Sequence, residues 1–186
     1  MMRVTSRKAP QQHQERQGEA PPKRRESWWR KIDWFRWIVS LAIPVVVGFV
    51  TGILTGNAAR DVYGRIDLPP LAPDQETYPI VWSILYVLMG IGLSLAWGAE
   101  GNPKTRRRAF TAFGVQLALT AAWPIVFFLM ESFQAAVLIV LAQLIATAYT
   151  MDQFGRLSPW AGRVFLPQLL WVAFASYLNI SIALLN

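Results

Sequence analysis

YPIVWSILYVLMGIGLSLAWG, residues 78–98, holds no Lys, Arg, Asp, Glu or His across its whole length. A helix needs roughly 20 predominantly apolar residues to cross the hydrocarbon core of a bilayer, and this stretch meets that length. A core helix of a soluble protein would carry polar residues along one face at helical spacing, and none is present here. Working outward, similar stretches occupy about residues 37–56, 109–130, 133–151 and 162–185, with no charge in their central turns. The chain is therefore expected to be an all-α membrane protein, a bundle of five spanning helices.

Charge divides the remainder. The net charge is +7, and ten of the 18 Lys and Arg precede Trp37. Residues 1–27 are rich in Gln, Pro and Glu and read as a disordered basic tail, because such a composition cannot bury enough apolar surface to order itself. The segment Trp28-Trp29-Arg30-Lys31-Ile32-Asp33-Trp34-Phe35-Arg36-Trp37 interleaves aromatics with cations and reads as an interfacial anchor. The tail is read as setting orientation and attracting anionic lipid, worth roughly 1 kcal/mol per charge near the surface, rather than as binding nucleic acid. The tail and the second and fourth connections carry sixteen of the cations. The first and third connections carry two, Arg60 and Arg65. Cations stay on the cytoplasmic side. The N-terminus is thus expected in the cytoplasm and the C-terminus outside.

Little reactive chemistry is written in the chain. There is no cysteine, hence no disulfide and no thiolate metal site. The one histidine, His13, lies in the tail. No intramembrane carboxylate pair, nucleophile–base set or phosphate-cradling glycine loop is evident, so no catalytic residue and no metal or required cofactor is expected. Among the few polar side chains inside the spans are Gln116, Thr120, Gln143, Gln168 and Asn179. Gln116 and Thr120 are four apart and share a helix face, as do Trp82 and Tyr86. Gly48, Gly52 and Gly56 form a doubled Gly-xxx-Gly, expected to let another helix approach closely, within this chain or in a second copy. Pro44 is expected to bend the first helix. The first connection, about 20 residues from Asn57 to Thr77 with Pro69, Pro70 and Pro73, reads as a lid.

Three stretches carry a resemblance. They are PIVWSILYVLMG at 79–90; QLAL at 116–119 with Trp123, Phe127 and Phe128; and LPQLLWVAFA at 166–175 with Leu178, Asn179, Leu185 and Asn186. Tyr63 with Leu68-Pro69-Pro70 resembles the matching first loop. Over about residues 38–186 the chain resembles the TspO family of tryptophan-rich sensory proteins, relatives of the mitochondrial translocator protein or peripheral-type benzodiazepine receptor. The resemblance implies a five-helix bundle, often dimeric, in a bacterial plasma membrane, with a pocket roofed by the first loop. The implied ligand is a tetrapyrrole such as protoporphyrin or haem, or a similar flat hydrophobic molecule. The implied role is a receptor or regulator, with transport or porphyrin breakdown as alternatives. By motif position the ligand-binding residues would be Tyr63 from the lid, Trp82 and Tyr86, then Gln116, Thr120 and Trp123, then Trp171 and Ala175. Leu71 and Thr120 stand where the family usually has Trp and Asn. Pro124 and Gln168 stand where it usually has Ser and Tyr.

Overall fold

The computed structural model describes residues 33–186. The basic tail and the first half of the aromatic anchor lie outside the described residues. Helix α1 runs Trp34–Tyr63, α2 Thr77–Gly98, α3 Pro103–Pro124, α4 Phe133–Leu157, α5 Pro159–Arg163 and α6 Leu166–Leu185. A π-helical turn, Ile125–Leu129, extends α3 directly. The short α5 leads into α6, so five segments are long and apolar enough to cross a membrane: Trp34–Tyr63, Thr77–Gly98, Pro103–Leu129, Phe133–Leu157 and Pro159–Leu185. The five-helix expectation holds.

Helix ends follow local chemistry. Asp33 caps α1, its carboxylate accepting from the Arg36 N–H at 3.2 Å. Asn102 caps α3, accepting from the Lys104 N–H at 2.8 Å, with Pro103 in the first turn, where its missing donor costs nothing. Arg106 donates to the carbonyls of Trp97 and Ala99, at 2.6 and 2.8 Å, satisfying carbonyls that the end of α2 leaves without helical partners. The π-helical turn begins right after Pro124, whose missing N–H interrupts the regular ladder.

Helix α1 is longer than the hydropathy pattern suggests. Its extra turns to Tyr63 keep Ala58, Ala59 and Val62 against the bundle, while Asn57, Arg60 and Asp61 are exposed. The connection to α2 is therefore residues 64–76, shorter than expected, and Tyr63 belongs to the last turn of α1 rather than to the lid. Pro69-Pro70-Leu71-Ala72 makes a tight turn closed by Ala72 N–H to Pro69 C=O at 3.2 Å. Leu71 has φ +70° there and is exposed, a left-handed position usually filled by glycine.

Two buried clusters hold the helices together. Met89, Leu93, Phe113, Phe154 and Phe165 join α2, α3, α4 and the α5–α6 corner. Val62, Phe127, Phe128, Ala136 and Ile182 join α1, the π-helical turn, α4 and α6 near the 64–76 loop. The outer surface is apolar, with Phe49, Ile53, Ile84, Leu138, Ile145, Leu170 and Leu184 exposed, as a bilayer solvent permits.

Within one copy, only the first glycine of the Gly-xxx-Gly repeat meets another helix. An added Cβ at Gly48 would run into the Tyr86 ring, but at Gly52 and Gly56 it would meet nothing within 4 Å. The buried line of α1 is Ser40, Pro44, Thr51, Thr55 and Val62. Gly52 and Gly56 each sit one residue past a member of that line, a rotation of about 100°. The backbone-to-backbone contacts occur instead at Gly90, against Ser40 and Leu41, and at Gly162, against Met151 and Gly155.

Candidate functional site

Near the 64–76 loop, α1, α2, α3, the π-helical turn, α4 and α6 enclose a cavity of about 20 Å³. That is room for about one water molecule. Its walls are aromatic because aromatic rings from five elements meet there. Tyr63 lies 5.3 Å from Tyr78 and 5.6 Å from Phe128, centroid to centroid. Tyr78 meets Trp171 edge-on at 6.0 Å, and Trp123 lies 5.2 Å from Phe127. Such tilted and edge-on pairs are the favourable aromatic geometries.

Of the residues singled out from sequence, Tyr63, Trp82, Trp123, Trp171 and Ala175 line this cavity. Tyr86, Gln116 and Thr120 do not. Residues 78, 82 and 86 lie four apart, and each such step turns the helix face by about 40°. By Tyr86 the side chain faces α1, where Gly48 leaves room for its ring. Tyr86 still packs on Trp82 at 5.8 Å. Gln116 is fully buried and directs its amide at the Met89 sulfur, 3.6 Å away.

Thr120 acts one contact removed. Its hydroxyl donates to the Gln116 carbonyl at 2.9 Å and accepts from the Gln143 amide at 2.9 Å. Gln143 thus ties α4 to α3 and is also a cavity wall. Asn179 is a wall residue that the motif reading left off the site. It accepts from the Trp123 indole N–H at 2.8 Å and donates to the Ala175 carbonyl at 2.8 Å. Tyr78 was also missed, although its spacing of four from Trp82 is a legible signal. The indole N–H of Trp171 is buried with no partner. A buried donor left unpaired carries a real cost, and a ligand acceptor could relieve it.

The loop that roofs this end is tied at several points. Asn186 accepts from the Asp67 N–H at 3.0 Å and donates to the Asp67 carbonyl at 3.2 Å. The Tyr177 hydroxyl donates to the Pro70 carbonyl at 3.1 Å. Arg65 pairs with Glu131 at 2.8 Å across the mouth. The hydrogen bond from Arg65 holds the exposed Glu131 carboxyl below the usual carboxylate range. Its contribution is present above that range and lost as pH falls through the depressed value, and full solvation keeps it small.

The arrangement presents aromatic rings, two amide side chains and one unpaired indole donor around a space of about one water molecule. Among the described residues no group of three or more His, Cys, Asp or Glu is placed to hold a metal ion, and no His, Cys or Met lines the cavity.

Comparison with known proteins agrees with the fold. The TspO/MBR family pattern matches residues 40–185. The tryptophan-rich protein TspO of Chlorobaculum tepidum is 32% identical over 78% of this chain and 92% of its own. The tryptophan-rich sensory protein of Cereibacter sphaeroides is 32% identical over 67% of this chain and 76% of its own. The translocator protein of Bos taurus is 30% identical over 74% and 82%. A family match across most of the sequence and five apolar helices among the described residues lead to one conclusion: this chain is an integral membrane protein of the TspO/MBR family.

Proposed function

We propose that this protein is a membrane receptor for a flat, hydrophobic, unsaturated ligand of the tetrapyrrole class, bound in the aromatic cavity beneath the 64–76 loop. The observation that carries the reading is the convergence of Tyr63, Tyr78, Trp82, Trp123 and Trp171 on one cavity, with Gln143 and Asn179 as its polar wall. Ligand sites are mostly apolar and aromatic with a few placed polar groups. Haem iron takes His, Cys, Met or Tyr as axial ligand. Of these only tyrosines line the cavity, so haem would have to take Tyr63 or Tyr78 as its axial ligand, whereas the metal-free porphyrin needs none.

The cavity of about 20 Å³ is far below the roughly 300 Å³ or more of occupied ligand sites. Binding therefore requires the aromatic side chains to swing and the helices to part, which couples occupancy to the shape of the bundle. That coupling favours a sensing role over a passive store. Titration of the purified protein with protoporphyrin should give saturable quenching of tryptophan fluorescence. Quenching that rises linearly without saturation would remove the tetrapyrrole from this reading.

The 64–76 loop and the C-terminus are proposed to face outward from a bacterial plasma membrane, from the sixteen-to-two division of cations. A single cysteine at exposed Asp74 should react with an impermeant thiol reagent on intact cells. One at exposed Lys104 should react only after permeabilisation. The opposite pattern inverts the topology. A second copy of the chain, if it binds, is proposed to sit on the bare Gly52 and Gly56 face of α1.

A further inference from the structure

The groove between α2 and α6 opens sideways onto the apolar outer surface. It measures about 370 Å³ and is lined by Val81, Ile84 and Leu85 on one side and by Pro167, Leu170, Trp171 and Phe174 on the other. No polar side chain other than the Trp171 indole borders it. Ile84 and Leu170, at its rim, are 55% and 62% exposed. Trp171 is also a wall of the inner cavity, so one indole ring separates the groove from the cavity. Close by, Tyr78 of α2 meets Trp171 of α6 edge-on, with 6.0 Å between ring centroids. The ring's own N–H has no hydrogen bond to hold it in place. The top of the cavity is different: Asn186, Tyr177 and the Arg65–Glu131 pair tie the loop region down across it.

We infer that the α2–α6 groove is a bilayer-facing vestibule, and that a flat hydrophobic ligand passes from the hydrocarbon through it into the cavity when Trp171 swings aside. The inference rests on the reading of the cavity as a ligand site, and it adds the route and a second, outer subsite. The physical reason is solvation. The apolar ring of such a ligand partitions into the bilayer with its carboxylates held at the headgroup level, and the route over the loop would expose that ring to water before burying it again. The sideways route exchanges lipid contacts for protein contacts without that exposure. The open groove offers far more room than the inner cavity as it stands. Trp171 then serves as the gate, and its unpaired N–H becomes available to a polar atom on the passing ligand.

The test uses the full chain in liposomes, and the lack of native cysteine makes it specific. Ala175→Cys places one thiol on the cavity wall. Its labelling rate by pyrenyl maleimide dissolved in the bilayer reports passage into the cavity, whether or not a porphyrin binds. Adding Ile84→Trp and Leu170→Trp, on exposed positions, fills the groove and should slow labelling about tenfold. Phe174→Ala, which widens the groove, should speed it. Untying the loop with Tyr177→Phe and Asn186→Ala should change the rate by less than about twofold. The same groove-filling changes with Ala175 restored should slow the onset of protoporphyrin quenching to a similar degree. If untying the loop accelerates labelling about tenfold while filling the groove has no effect, the way in is over the top and the inference is overturned. If labelling follows the groove but protoporphyrin does not bind the unaltered protein, the vestibule stands and the tetrapyrrole assignment falls. Circular dichroism on each variant confirms that the helices remain.

Discussion

Gly90→Leu and Gly162→Leu should each destabilise the bundle by about 3 kcal/mol or more, at or beyond the upper end of ordinary overpacking. The reason is that backbone, not a flexible side chain, occupies the space. A Cβ at Gly90 would stand 2.7 Å from the Leu41 Cα and 3.0 Å from the Ser40 carbonyl oxygen. At Gly162 it would stand 2.7 Å from the Met151 carbonyl oxygen and 2.8 Å from the Gly155 Cα. Neither neighbour can rotate away, so α1 must leave α2, or α5 must leave α4. Since whole domains are stable by only about 5–15 kcal/mol, such a loss is a large share of the total. Thermal unfolding in detergent, followed by circular dichroism, measures it. Gly52→Leu is the contrast: within one copy its added side chain meets nothing and should shift the stability of the single chain by no more than about 0.5 kcal/mol, whereas a second copy seated on that face would be displaced. Equal midpoints for Gly90→Leu and Gly52→Leu would show that the α1–α2 contact is misplaced.

Ligand affinity should fall by about tenfold or more in both Trp171→Ala and Ala175→Leu, a change of about 1.4 kcal/mol. The two act in opposite senses. Trp171→Ala removes the ring that meets Tyr78 at 6.0 Å and Phe174 at 5.8 Å, and with it the stacking surface and the free indole N–H. Ala175→Leu adds volume to a cavity that must already expand to admit anything larger than water. Trp171→Phe separates the two contributions of the indole, since it keeps a ring and removes the donor. Leu138→Ala, on a position 70% exposed on the outer surface, should leave affinity unchanged. Fluorescence quenching by protoporphyrin reads all four, with folding checked by circular dichroism. Wild-type affinity in both Trp171→Ala and Ala175→Leu would place the ligand elsewhere on the bundle.

The number of crossings and the all-helical class were legible in the sequence, because each crossing must satisfy its own backbone hydrogen bonds and so writes a long apolar run. Helix limits were less legible. At the ends of α1 and α3 the exposed Asn57, Arg60 and Asp61, and the basic turn around Arg107, end the hydropathy signal while the helices continue past it. Within the site, Tyr63, Trp82, Trp123, Trp171 and Ala175 were reached through motif position, and the structure puts them on one cavity. Rotation about each helix axis was not legible. Tyr86 turns to Gly48, Gln116 turns to Met89, and Thr120 reaches the cavity only through Gln143. For the same reason a conspicuous glycine repeat in α1 proved mostly bare, while single glycines at positions 90 and 162 carry the close approaches. In water, the contrast between apolar core and polar surface would reveal which face of a helix points inward. In a bilayer the outward face is apolar and the inward face only slightly more polar, as Ser40, Thr51 and Thr55 on α1 show, so the sequence determines that a segment crosses, and packing against the neighbouring helices decides which of its side chains meet.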